Sequence, residues 1–233
     1  MSRAYLVDER AGMLVSDERG GLWLASTLDV LAPATDALKV RGAERGGPPA
    51  DRSSVALAKA SVIWPRWSGA ANDRVAFDLT NPKVTAHPQG ANIGVIALAR
   101  VKGLRSEPGA QFEVPALAWD DVVANPRDGD HDGPGEGSGT VSLCCPQSVS
   151  GGEVWTIVRT AHIASDPAGG FAGSPGLVAL DIRLDPSEAG AAVFSAGPSP
   201  RFLGLAQPLG PLLSVLVGTA LIAQTVAHAA QLR

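Results

Sequence analysis

The chain has 233 residues, 45% hydrophobic and only 18% charged, with a formal net charge of -4. That balance excludes intrinsic disorder, which needs low hydrophobicity and high net charge, and a long helical or coiled-coil protein, which would be rich in Glu, Lys and Arg. Gly 27 and Pro 18 exceed their usual combined share of about 12% and point instead to many short elements joined by turns.

In chain order, residues 11–15 and 21–26 are apolar runs separated by Asp17-Glu18-Arg19-Gly20-Gly21, which predicts a strand, a turn and a strand. Residues 37–40 form another strand, and the Gly- and Pro-rich residues 44–51 a loop. Apolar runs at 55–64 and 75–79 follow, and 92–101 has the β-branched, apolar character of a buried strand. The stretch 120–139 carries Asp128, Asp130, Asp132 and Glu136 among glycines and prolines, so it reads as a solvated acidic linker. Asp128, Asp130, Asp132 and Gly133 have the spacing of a calcium loop, but Gly139 stands where the closing bidentate Glu belongs. Further strands are expected at 140–143, 154–159, 177–181, 191–194 and 202–206. From Phe202 to Leu232 there is no Asp, Glu, Lys or Arg. Residues 212–232 offer a membrane span as one reading. Pro208, Gly210 and Pro211 just before them, and Ser214, Thr219, Gln224, Thr225 and His228 within them, favour a buried C-terminal helix over 211–233.

The side-chain inventory narrows the function. No basic cluster marks a nucleic-acid partner. Cys144 and Cys145 are adjacent, which excludes a disulfide scaffold and makes them small buried apolar residues. His87, His131, His162 and His228 are scattered without metal-ligand spacing, so no metal and no cofactor are expected. His162 alternates with apolar neighbours and reads as a surface residue or a satisfied core residue. The polar start, residues 1–10, lacks a signal-peptide pattern, which favours an intracellular protein. Trp23, Trp64, Trp67, Trp119 and Trp155 are mainly packing residues, with one or two expected at a partner surface.

Three segments in order carry a resemblance. The first is Leu22-Trp23-Leu24-Ala25-Ser26-Thr27-Leu28-Asp29-Val30-Leu31, the second Asn92-Ile93-Gly94-Val95-Ile96-Ala97-Leu98, and the third Asp181-Ile182-Arg183-Leu184-Asp185-Pro186-Ser187-Glu188-Ala189-Gly190-Ala191-Ala192-Val193-Phe194. Together with Val141-Ser142-Leu143-Cys144-Cys145-Pro146 and Phe202-Leu203-Gly204-Leu205, they resemble the trypsin-like serine proteases of the HtrA type. The resemblance implies an all-β fold of two antiparallel six-stranded β-barrels: residues 1–119, the linker 120–139, residues 140–210, and a C-terminal helix over 211–233. It extends to the degenerate amino-terminal half of the peroxisomal leader-peptide processing proteases through residues 177–194 and 211–230. The peroxisomal Ser-Lys-Leu ending is replaced by Gln231-Leu232-Arg233.

The family's catalytic His, Asp and Ser fall on Asp29, Asn92 and Ala189. Ala189 has no oxygen to attack with, an aspartate of ordinary pKa about 4 is a poor base at neutral pH, and Asn92 cannot stabilise an imidazolium. Three changes together imply natural degeneration: a pseudoprotease that binds a protein or an extended peptide. Ser187, Glu188 and Ala189 would be the vestigial oxyanion loop, with the charge of Glu188 set against an anion there. The alternatives are an active or conditionally active endopeptidase, an inactive half whose working domain lies elsewhere, and a membrane-tethered protein anchored by 212–232. A rival triad of His87, Asp120 or Asp121, and Ser174 has the right order. It lacks the apolar pair after the His, and Pro175 follows the Ser.

Overall fold

The computed structural model of the chain describes residues 4–7, 10–31, 37–43, 51–57, 96–106, 114–117, 139–148, 154–163, 177–196, 198–209 and 213–231. Six antiparallel strands, β1 (Ala4–Val7), β2 (Arg10–Ser16), β3 (Leu22–Thr27), β4 (Ala37–Ala43), β5 (Asp51–Leu57) and β6 (Ile96–Ser106), close a barrel in the order β1-β2-β3-β6-β5-β4. Pairing of Tyr5 with Gly42 and of Leu6 with Arg41 shuts it.

The second set is β7 (Thr140–Ser148), β8 (Val154–His162), β9 (Leu177–Leu180), β10 (Ala191–Ser195), β11 (Phe202–Leu209) and β12 (Leu213–Gly218), ordered β8-β7-β10-β11-β12-β9. Its two end strands meet at one bridge, Ile163 to Leu180, where the Asp181 amide donates to the His162 carbonyl at 2.8 Å. Followed round that bridge, the circuit repeats the first barrel's succession: first, second, third, sixth, fifth, fourth. This is the all-β, two-barrel, trypsin-like architecture that the sequence implied. A short helix α1 (Leu28–Leu31) leaves β3, a 3₁₀ turn (Pro186–Glu188) precedes β10, and α2 (Thr219–Gln231) leaves β12.

Alternation along the second barrel's strands separates two cores. Val141, Leu143, Cys145, Val178, Leu180, Ala191, Val193, Leu203 and Leu216 fill its interior. Cys144, Ala179, Ala192, Phe194, Val215 and Val217 face the other way, into one cluster with the first barrel's Leu14, Leu24 and Leu98 and with Leu221, Ile222 and Val226 of α2. Strands β2 and β10 are therefore buried on both faces and read as unbroken apolar runs rather than as alternating ones. The adjacent cysteines form no disulfide and are buried on opposite faces of β7.

Two elements differ from expectation. The helix expected over 211–233 starts at Thr219, because Leu213–Gly218 is β12, paired with both β11 and β9. A short apolar run does not by its periodicity distinguish strand from helix, and Val215 and Val217 tip this one to strand. The apolar tail thus becomes one strand and a 13-residue helix, and among the described residues no helix is long and apolar enough to cross a membrane. Strand β1 lies in the start of the chain that read only as polar. The strand expected at 75–79, the 58–64 part of the run 55–64, nearly all of the acidic linker 120–139 and the rival triad residues lie outside the described residues.

Candidate functional site at the seam between the barrels

Because the barrels share one circuit, each has an equivalent connection between its third and fourth strands. In the first it carries α1, and in the second it carries the 3₁₀ turn. The two meet. A Cβ placed on Gly190, just after the turn, would stand 2.7 Å from the Ala11 carbonyl oxygen of β2 and 3.7 Å from Thr27 Cγ2 at the end of β3. Gly190 has φ of 87°, a left-handed conformation that glycine adopts without steric cost. Arg10 of β2 donates from Nη1 to the Pro186 carbonyl at 2.9 Å, and the Gly190 amide donates to the Ala206 carbonyl of β11 at 2.9 Å.

Ala189 lies in this seam, 3% exposed. Asp29 is the second residue of α1, two positions after Thr27. Asn92 lies outside the described residues. Thr27 is buried, and among the described residues its Oγ1 has no hydrogen-bond partner; the neighbouring Ser26 Oγ donates to the Ala11 carbonyl at 2.9 Å.

The turn that carries Ala189 is closed on itself. The Glu188 amide donates to the Asp185 carbonyl at 2.9 Å, and the Ala189 amide reaches the Pro186 carbonyl at 3.4 Å. Ser187 is exposed. Glu188 is buried; its Oε2 accepts from Arg159 Nη1 at 2.7 Å and from the Asp185 amide at 2.9 Å. The expected repulsion of an anion by Glu188 is therefore relieved, because Arg159 balances the charge at contact distance. The Cys145 thiol belongs to the same cluster. Burial first, and the Glu188 carboxylate second, push it up to about 12, with Arg159 giving partial relief. At neutral pH it is a hydrogen-bonding thiol and no nucleophile.

Arg159 and Arg10 escaped the reading of the sequence. The Asp185-Pro186-Ser187-Glu188 spacing is that of a capping box, a signal for the turn that was there to find. His162 is an exposed surface residue whose Nδ1 lies 3.2 Å from Thr140 Oγ1. Among the tryptophans, Trp23 is core, with Nε1 donating to Asp17 Oδ2 at 2.9 Å, while Trp155 is 43% exposed. Among the described residues no group of three or more His, Cys, Asp or Glu could hold a metal ion.

Neither the family models nor the curated proteins contain a match to this chain. Among solved structures, it is similar over 99% of its length to a thermostable serine protease, AL20, from an extremophilic microorganism. That similarity covers 97% of the other chain, at 11% identity and a TM-score of 0.38. The architecture stands on the strand order of the two barrels themselves.

Proposed function

We propose that this chain is a catalytically degenerate trypsin-like domain that binds an extended protein or peptide segment. The observation that carries the reading is the state of the turn at the seam. Ala189, the residue that closes the turn, has no hydroxyl, and the amides of Glu188, Ala189 and Gly190 are directed at the chain's own carbonyls. Covalent catalysis needs a hydroxyl or thiol nucleophile held beside a base; this turn supplies packing instead.

Binding is supported by the strand that reaches the turn. In β8, Trp155, Ile157 and Arg159 share one face, the face that Gln147, Cys145 and Leu143 present on β7. Arg159 touches the turn, while Ile157 and Trp155 continue away from it 45% and 43% exposed. β8 is also an end strand of the six-stranded order. An extended segment added to such an edge gains main-chain hydrogen bonds, and its alternate side chains meet the apolar stripe.

Two measurements test the proposal. Fluorophosphonate treatment of the purified chain is expected to label no serine; covalent labelling at any serine overturns the degenerate reading and favours an endopeptidase. Fluorescence polarisation with a library of extended peptides of alternating apolar pattern is expected to find binders that lose about tenfold or more in affinity in Trp155→Ala. Absence of binders, or binders indifferent to Trp155→Ala, overturns the binding role.

A further inference from the structure

We infer that Arg159 and Glu188 form a latch that holds the turn before β10 in its closed 3₁₀ form, with Arg10 as a second hold from the other barrel. The inference rests on geometry alone and stands whether or not the chain binds a peptide. The turn is gripped from both sides of the seam: Arg10 of β2 takes the Pro186 carbonyl at 2.9 Å, and Arg159 of β8 takes the Glu188 carboxylate at 2.7 Å. The same Glu188 oxygen accepts the Asp185 amide, so one carboxylate ties the first residue of the turn's cap to a strand of the barrel wall.

The side chain of Glu188 is 7% exposed, so its charge tolerates burial only with a cation in place. Without Arg159 the carboxylate regains solvation by swinging out. It then releases the Asp185 amide and unwinds the turn, because a three-residue 3₁₀ segment has few bonds of its own to hold it. Arg159 is itself 34% exposed, so the latch is reachable from solvent. Cys145 reports the same event from the inside. It is fully buried against Glu188 in the closed form and gains access when the carboxylate leaves.

Amide hydrogen exchange on the full chain reads the latch. Arg159→Met keeps the apolar stem and removes the cation. It is expected to speed exchange at the Glu188 and Gly190 amides by ~10- to 100-fold, the loss of one charge-assisted hydrogen bond, while amides in β3 and β12 keep their rates. Arg159→Lys retains a cation and is expected to stay much nearer the parent. Iodoacetamide at mildly alkaline pH is expected to modify Cys145 in Arg159→Met and to spare it in the parent. Parent-like exchange in Arg159→Met, or an equal rise throughout both barrels, overturns the latch. Should Arg159→Met fail to fold, Glu188→Ala removes the acceptor of both bonds from the other side. It is expected to speed Gly190 exchange in the same way, and unchanged exchange there overturns the latch equally.

Discussion

Gly190→Ala puts a number on how tightly the turn bears on the first barrel. The new Cβ carries two costs. The residue sits at φ of 87°, where an L side chain costs about 1 kcal/mol. The Cβ also stands 2.7 Å from the Ala11 oxygen and 3.4 Å from its carbonyl carbon. These are backbone atoms of a strand buried on both faces, so they cannot swing aside as a side chain would. Overpacking of that kind costs about 1–3 kcal/mol. Gly20→Ala is the internal control: its φ is 75°, but nothing lies within 4 Å of the added Cβ. Both substitutions remove the same glycine freedom from the unfolded chain, so that contribution cancels in the comparison. Gly20→Ala is expected to destabilise by about 1 kcal/mol and Gly190→Ala by about 2–4 kcal/mol. Urea unfolding followed by tryptophan fluorescence, with Trp23 buried in the first barrel, gives the two midpoints at constant slope. Equal midpoints would refute the reasoning, since they would mean that the turn does not press on β2.

Three further outcomes are expected. Burial works against the charge of Asp17, but hydrogen bonds from Trp23, Gly21 and Arg19 and the charge of Arg100 outweigh it and hold the carboxyl below its ordinary 3.8. The stability this contributes is complete above that value and is lost as pH falls through the lowered folded value. Asp17→Asn should therefore melt below the parent at neutral pH, with the gap closing in acid; a gap independent of pH refutes the assignment. Thr27→Val removes a buried hydroxyl without a partner and keeps a β-branched shape, so it is expected to raise stability by about 1 kcal/mol in the same urea assay; a loss of stability would show that the hydroxyl is satisfied. Ala189→Ser adds a hydroxyl to the turn and, on the proposed reading of Asp29 at the base position, no imidazole beside it, so it is expected to stay unlabelled by fluorophosphonate.

What the sequence reveals of the fold depends on how far apart the partners lie. β3 and β10 announce themselves as apolar runs because both faces are buried, and the turn at Asp17 is readable because its acceptors and donors are neighbours within six residues. β12 reads as helix because it runs straight into α2 with no intervening loop, and no local pattern separates a six-residue, mostly apolar strand from a turn and a half of helix. The seam divides in the same way. Ala189 is found through its flanking motif, and Glu188 belongs to a local capping box. Arg159 is 29 residues from Glu188, and Arg10 is 176 residues from Pro186. Their partners are chosen by the closure of two barrels, which leaves no spacing in the chain.

The packing of the two barrels also explains why the turn keeps its shape with an alanine at position 189. The turn before β10 bears on β2 and on the end of β3 through the backbone at Gly190 and the Pro186 carbonyl. The seam must then be filled. Gly190 meets the backbone of β2, Ala189 is buried, and Glu188 is neutralised in place by Arg159. None of these contacts needs a nucleophile or a base, and a serine hydroxyl at position 189 would itself require a partner in this packing. The shape of the turn is thus a requirement of joining the barrels. Its presence in this chain speaks for the stability of the interface.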